Sequence, residues 1–352
     1  MIAPRLEVDL AKVEHNTRVL VDRLAPKGIR VTGVTKAILG SPSVAAALKR
    51  GGVAGFGDSR VENITRLRDA GVVDSITLIR SPMLSRVDRV VAVADVSLNT
   101  EAAVIEALAA AADQAGTVHG VVLMVELGDL REGIAADDVV DAAVHVVGQR
   151  GLRLAGIGTN LACQSGVVPD QAKMDELSAL AEQVEARIDH RLDVVSGGNS
   201  ANLDWAMATF DVGRVNDLRL GEAILLGTEP LHRRPIDGLH LDAFTLVAEV
   251  IEVATKPAQP WGEIGQGTYG IVPTRSATGT VRQAILAVGG QDVALDGLRP
   301  PLGIEILGMS SDHLVLDVGD HAMAVGQELR FGLGYGALVR AATSPFVTTV
   351  PI

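Results

Sequence analysis

The 352-residue sequence predicts an α/β fold: an N-terminal (β/α)8 barrel followed by a C-terminal all-β domain. Three observations carry that expectation. From Arg30 onward, short β-branched runs alternate with alanine- and leucine-rich amphipathic stretches, the pattern of repeated β-α units around a parallel sheet. Those runs number eight, which is what a closed barrel of this type needs. Beyond "EPLHRRPIDGLH" the helical stretches stop and glycine-punctuated strand-like runs replace them.

In order, the expected barrel strands are "RVTGVT" (30–35), "AGFG" (54–57), "SITLIR" (75–80), "DVSL" (95–98), "GVVLMVEL" (120–127), "LRLAGIG" (152–158), "RLDVVSG" (191–197) and "DVGRVN" (211–216). They occupy about 200 residues, short for a fold of typically about 250 but compatible with it. The later strands are expected in "AFTLVAEVIEVA", "RQAILAVGG", "LGIEILGM" and "HLVLDVGD", with no long helix between them. The boundary is placed near Asp237, giving a barrel over 1–237 and a β domain over 238–352. The first strand, "RLEVDL" within residues 1–10, is left open between the two.

The chain is 47% hydrophobic and 21% charged, a globular composition, and 31 basic against 43 acidic side chains give a net charge of −12. That charge argues against nucleic acid or an anionic membrane as the main partner and leaves small-molecule chemistry or protein partners. The single cysteine, Cys163, excludes an intrachain disulfide and a thiolate metal cluster, and the stretch "MIAPRLEVDL" lacks the apolar core of a signal peptide. The expected location is therefore cytoplasmic. Apolar runs such as "VVLMVEL" are too short to span a bilayer. His15, His119 and His145 show no metal-ligand spacing, so no metal is expected.

Barrels of this kind put their chemistry on the loops after the strands. Lys36 ends the first barrel strand, where burial lowers an amine's pKa and makes it a nucleophile or base; an ion-paired or snorkelling lysine is the alternative. "VVSGGNSANL" supplies a strand, a glycine turn and then Asn199 and Ser200 opening a helix, a geometry that suits phosphate and equally an ordinary helix cap. Arg219 and Gly221 in "NDLRLGEAILLG" fall just past the expected eighth strand, and loops after strands seven and eight are a frequent phosphate site. A lysine nucleophile beside a phosphate cup points toward pyridoxal phosphate, which needs both.

Taken together, "VTKA", "GDLREGI", "GIGTNLAC", "VSGGNSANL", "LRLGEAILLG", "GEIGQGTYG", "AILAVGGQD", "ILGMSSDHLVLDV" and "GYGALVRAATSPFV" resemble the pyridoxal-phosphate-dependent alanine racemase superfamily (fold type III), and most closely its ornithine racemase-like branch. The resemblance spans essentially the whole chain. It implies a homodimer with shared active sites, with Lys36 holding the cofactor as a Schiff base and then working as one Cα base. It further implies Arg219 facing the pyridine nitrogen, Ser200, Gly221 and the Glu222 backbone N–H around the phosphate with Asn199 beside them, and Arg131 near the phenolic oxygen. Asn160 stands where the alanine enzymes carry a histidine that packs on the ring.

Several positions depart from that pattern. Gly290 in "VGGQDV" replaces the partner-chain tyrosine that is the second base, Gly40 replaces a phosphate-gripping tyrosine, and Met124 stands at a modified-lysine position. Asp312 and His313 in "SSDH" are the favoured substitutes for the missing base, with Tyr269 and Asp292 as others; imidazole's unperturbed pKa suits two-way proton transfer. The expected function is a racemase of ornithine or another cationic amino acid. The alternatives are another reaction on the same scaffold, such as alanine or serine racemisation, an aldolase or a decarboxylase, or a non-catalytic cofactor-binding protein.

Overall fold

The computed structural model describes residues 2–267 and 278–352. Strand β1 (Arg5–Val8) and a helix (Leu10–Leu24) precede eight parallel strands: β2 (Arg30–Val34), β3 (Gly55–Asp58), β4 (Ile76–Leu78), β5 (Val96–Asn99), β6 (His119–Met124), β7 (Leu152–Gly158), β8 (Val194–Gly198) and β9 (Asp217–Leu220). These close into a barrel in chain order, with β9 returning to pair with β2 through Thr32↔Arg219 and Gly33↔Leu220.

The connecting helices bury one face each. In Gln171–Ile188 the buried positions Met174, Leu177, Ala181 and Val184 recur at helical spacing, and Asp170 caps the start by accepting from the Lys173 N–H at 2.9 Å. The other face of that helix carries its charges.

One strand differs from its expected place. The eighth barrel strand is Asp217–Leu220, not 211–216, and "DVGRVN" forms the turn before it, where Gly213 has φ +57° and its N–H donates to Asp211 Oδ1 at 2.8 Å. The polar residues Asp217 and Arg219 alternate with Leu218 and Leu220 in a fully buried strand, so apolar run-length points to the wrong segment. Arg219 consequently lies within the strand rather than beyond it.

The chain divides into two compact units, one spanning Ala11–Leu241 and one formed by the residues up to Leu10 together with Asp242–Ile352. The expected division at Asp237 is thus displaced to Leu241, and β1 belongs with the C-terminal unit. There, β1 runs antiparallel to β10 (Phe244–Pro257) and parallel to β16 (Thr348–Pro351).

The remaining strands of that unit are β11 (Thr280–Leu286), β12 (Leu298–Arg299), β13 (Glu305–Met309), β14 (Leu314–Asp317) and β15 (Glu328–Leu333). Antiparallel pairing gives the order β12-β15-β10-β11-β14-β13. The long β10 serves two partners: Thr245–Glu249 pairs with β15 and the stretch from Val250 onward with β11, with a bulge between Val250 and Glu252 that bends the strand. This unit also holds a nine-residue helix, Tyr335–Thr343, which buries Ala337, Leu338, Ala341 and Ala342. Its apolar face is mostly alanine, which is why the sequence reading passed over it.

Candidate active site

Lys36 begins a single 3-10 turn (Lys36–Ile38) directly after β2. The turn is tied down by its neighbour: the Thr35 N–H donates to Gly57 O at 2.9 Å and its hydroxyl to Asp58 Oδ2 at 2.7 Å. Asp58 is fully buried and accepts two more bonds on Oδ1, from Asn63 Nδ2 at 2.9 Å and the Arg60 N–H at 3.0 Å. The turn ends at Gly40, with φ +61°, where a Cβ would stand 2.7 Å from Asn63 O. A tyrosine cannot occupy position 40 without displacing that neighbour.

The Lys36 side chain is solvent-exposed, though packed against protein at its base. Burial pushes its pKa down, the Cys163 sulfur and Asp58 pull it back up, and Arg131 and Arg219 repel the charged form. A lysine so placed yields its proton more readily than a surface lysine does.

Arg219 forms the floor. It is 6% exposed, donates from Nη2 to Thr159 O at 2.8 Å and to Asn160 Oδ1 at 3.5 Å, and donates from Nη1 to Ser196 Oγ. Ser196 in turn donates to Asp217 Oδ2 at 2.7 Å, and Thr32 to Asp217 Oδ1 at 2.6 Å. Burial lowers the guanidinium's pKa and Asp217 raises it, but the group stays a cation.

Asn199, Ser200, Gly221 and Glu222 meet at two short helix starts. Asn199 caps the 3-10 turn Ser200–Asn202, accepting from the Ala201 N–H at 2.8 Å, and the buried Ser200 hydroxyl accepts from the Ala223 N–H at 3.2 Å. Gly221 precedes the helix Glu222–Leu226, and a Cβ there would come 3.2 Å from Val34 Cβ. The Glu222 carboxylate pairs with Arg233, while burial pushes its pKa up. Asn199 Nδ2 also donates to Asn160 Oδ1 at 3.1 Å. Two donors therefore fix the Asn160 oxygen, and its buried Nδ2 has no partner among the described residues.

Arg131 sits on the loop after β6, and that loop is clasped at two points. Ile134 returns to the strand end, its N–H donating to Met124 O at 2.8 Å, and Gly133 packs so closely that a Cβ would lie 2.4 Å from the Glu126 nitrogen. Asp129, 1% exposed, accepts from the Gln164 and Ser165 N–H groups at 3.0 Å each, joining this loop to the one after β7. Between the clasps, Arg131 donates through two nitrogens to Glu132. Met124 itself is buried in an apolar cluster with Val96, Leu98, Val122 and Ala155.

In the C-terminal unit, the turn holding Gly290 packs on the turn holding Asp312 and His313. The Gly290 N–H donates to Ser310 O at 2.9 Å and the Gln291 N–H to Ser311 O at 3.0 Å, while Arg340 donates to Gly290 O at 2.6 Å. Asp312 accepts from Gln291 Nε2 and Ser311 Oγ, both at 2.6 Å, and His313 is exposed. Asp292 is buried and bound at both oxygens by the Gly289 N–H and Ser344 Oγ, the pattern of a turn-fixing carboxylate. Tyr269 lies outside the described residues.

The barrel unit carries Lys36, Arg131, Asn160, Asn199, Ser200, Gly221 and Glu222 at strand ends, loops and helix starts and Arg219 within β9, and the second unit carries Asp312 and His313. Sequence reading missed Asp58, Glu132, Cys163, Ser196 and Asp217. Glu132, Cys163, Ser196 and Asp217 lie inside the quoted motifs, so their places beside the named residues were a signal, whereas Asp58 had none. Among the described residues no group of three or more His, Cys, Asp or Glu could hold a metal, and no helix is long and apolar enough to cross a membrane. The set suits an anionic, aldehyde-bearing ligand: an amine of lowered pKa, a hydroxyl at a helix start, two cations, and in Asn160 Nδ2 a buried donor lacking an acceptor.

The chain matches the family of the alanine racemase N-terminal domain over residues 8–228. It is 36% identical over 353 residues to a lysine racemase from Thermotoga maritima, covering 99% of both chains. It is 34% identical over 352 residues to an ornithine racemase from Acetoanaerobium sticklandii, covering 98% of both. Among solved structures, the alanine racemase of Streptomyces coelicolor A3(2) shares the fold, with a TM-score of 0.78 at 20% identity over 99% of this chain and 97% of the other. By the family match and by identity along its whole length, this chain belongs to the alanine racemase family.

Proposed function

We propose that the protein is a pyridoxal 5'-phosphate-dependent amino-acid racemase, an isomerase that interconverts the L- and D-enantiomers of ornithine, lysine or another cationic amino acid. The observation that carries this reading is Lys36, an amine at the end of a barrel strand whose pKa is lowered by the protein packed around it and by the charges of Arg131 and Arg219. The likeness to lysine and ornithine racemases over nearly all of the chain supports the reaction and the substrate class.

When bound, the cofactor supplies an electron sink that makes the substrate's Cα–H acidic. Lys36 would hold its aldehyde carbon, Ser200, Gly221 and Glu222 its phosphate with Asn199 beside them, Arg131 its phenolic oxygen and Arg219 its ring nitrogen, with Asn160 giving one more donor. Arg131 also fixes the substrate carboxylate by charge-assisted hydrogen bonds. Lys36 then takes and returns the Cα proton on one face. Arg219, which keeps its own protons, favours proton return to Cα over deeper rearrangement. The turn of Asp312 and His313, packed beside Gly290, is assigned to the opposite face, and a homodimer that shares its active sites accounts for how that turn is supplied. An acidic chain with one cysteine fits a cytoplasmic enzyme.

Lys36→Ala is expected to abolish both racemisation and the visible absorbance that develops on adding cofactor. His313→Asn and Asp312→Asn, assayed in heavy water from each enantiomer, should slow the two directions unequally. Turnover retained by Lys36→Ala would end this reading.

A further inference from the structure

We propose that Glu132 is the specificity-determining carboxylate of this site: it receives the distal ammonium of a cationic substrate as Arg131 receives the substrate's α-carboxylate. The inference rests on the racemase reading and adds the residue that chooses the substrate class.

The other carboxylates of the barrel unit near these cations are committed elsewhere. Asp58 is sealed under three donors and Asp217 under two hydroxyls. Asp129 is buried and holds backbone N–H groups of the loop after β7, and Glu229 is buried and holds those of its own loop. Glu222 is paired with Arg233, and burial disfavours its charged form. Glu132 differs from all of them. Its side chain is 24% exposed, among the described residues it is ion-paired with Arg131 alone, and its negative charge is felt by the buried Arg219.

The pairing sets up an exchange. An amino acid with a charged tail brings both ions that the Arg131–Glu132 pair presents, so each partner trades one opposite charge for another and no charge is left bare in a partly desolvated mouth. A neutral tail satisfies Arg131 but strands Glu132, which penalises it. Without Glu132, a distal ammonium would enter a mouth lined by Lys36, Arg131 and Arg219. The loop is built to hold the pair still, clasped through Asp129 on one side and Gly133 and Ile134 on the other.

The test compares kcat and KM of the cofactor-loaded protein for L-lysine, L-ornithine and the neutral isostere L-norleucine, the last also measured as a competitive inhibitor. Glu132→Gln keeps the side chain's size and an oxygen for Arg131. It should lower kcat/KM for the two cationic substrates on the order of tenfold or more, chiefly through KM, and leave L-norleucine unchanged or better bound. Equal losses for all three would show that Glu132 only positions Arg131, and no loss would show that it does neither; both overturn the proposal. Glu132→Asp withdraws the carboxylate by one methylene and should shift the lysine-to-ornithine preference toward lysine, so an unchanged ratio also counts against it. Wild-type protein inert on both cationic substrates would instead contradict the racemase reading itself.

Discussion

Asp58 shows how single residues build this site from below. It touches no expected ligand, yet by binding the Thr35 hydroxyl and the Asn63 amide it fixes the turn on which Lys36 stands. Lys36 and Ser200 are legible in the sequence because each sits in a short motif at a strand end or helix start, and Arg219 by its motif alone, since it lies inside β9. The contacts of Asp58, Cys163 and Asp217 are not, because their partners come from other β-α units and only closure of the barrel brings them together. His119 illustrates the same gap. It opens β6 at 1% exposure, shares a 2.8 Å hydrogen bond with Ser97 Oγ, and burial pushes its pKa down to about 4. The unfolded chain takes up this proton near pH 6.5 and the folded chain only near pH 4, so folding stability is full above that window and falls as pH drops through it. The loss amounts to about 3 kcal/mol at most. Urea unfolding at pH 7 and pH 4.5 should show a smaller drop for His119→Gln than for wild type; equal drops would refute the assignment.

Strands and turns followed the alternation of apolar and polar stretches wherever the strand was apolar throughout. Among the expected strands the exception is β9, where Asp217 and Arg219 break the apolar run, and in the C-terminal unit β12, β15 and β16 fall outside the expected runs altogether. The helix Tyr335–Thr343 was hidden for the opposite reason, its buried face being mostly methyl groups. Close strand approach also leaves its mark. Gly156 in β7 pairs with Val194 of β8, and a Cβ there would fall 1.8 Å from Val194 O, so the backbones must part to admit one. Gly156→Ala should destabilise the barrel by about 3 kcal/mol or more, read as a lowered denaturant midpoint. An unchanged midpoint would contradict the packing described.

The chain as a whole is discontinuous in its organisation. The N-terminal strand joins the C-terminal sheet and is fastened by the buried Arg5, which donates to the buried Glu7 at 2.8 Å and to both oxygens of the exposed Glu328 at 2.6 and 2.7 Å. A strand of four residues gives no sequence sign of which sheet it joins, since its partners lie more than two hundred residues away. What unites the molecule functionally is the claim that Lys36 moves the Cα proton of a cationic amino acid. Proton NMR in heavy water tests it most directly, with purified protein, pyridoxal phosphate and L-ornithine or L-lysine, following Cα–H exchange alongside chiral analysis. Exchange accompanied by the D-enantiomer is the predicted result; no exchange on either substrate, despite bound cofactor, would contradict it.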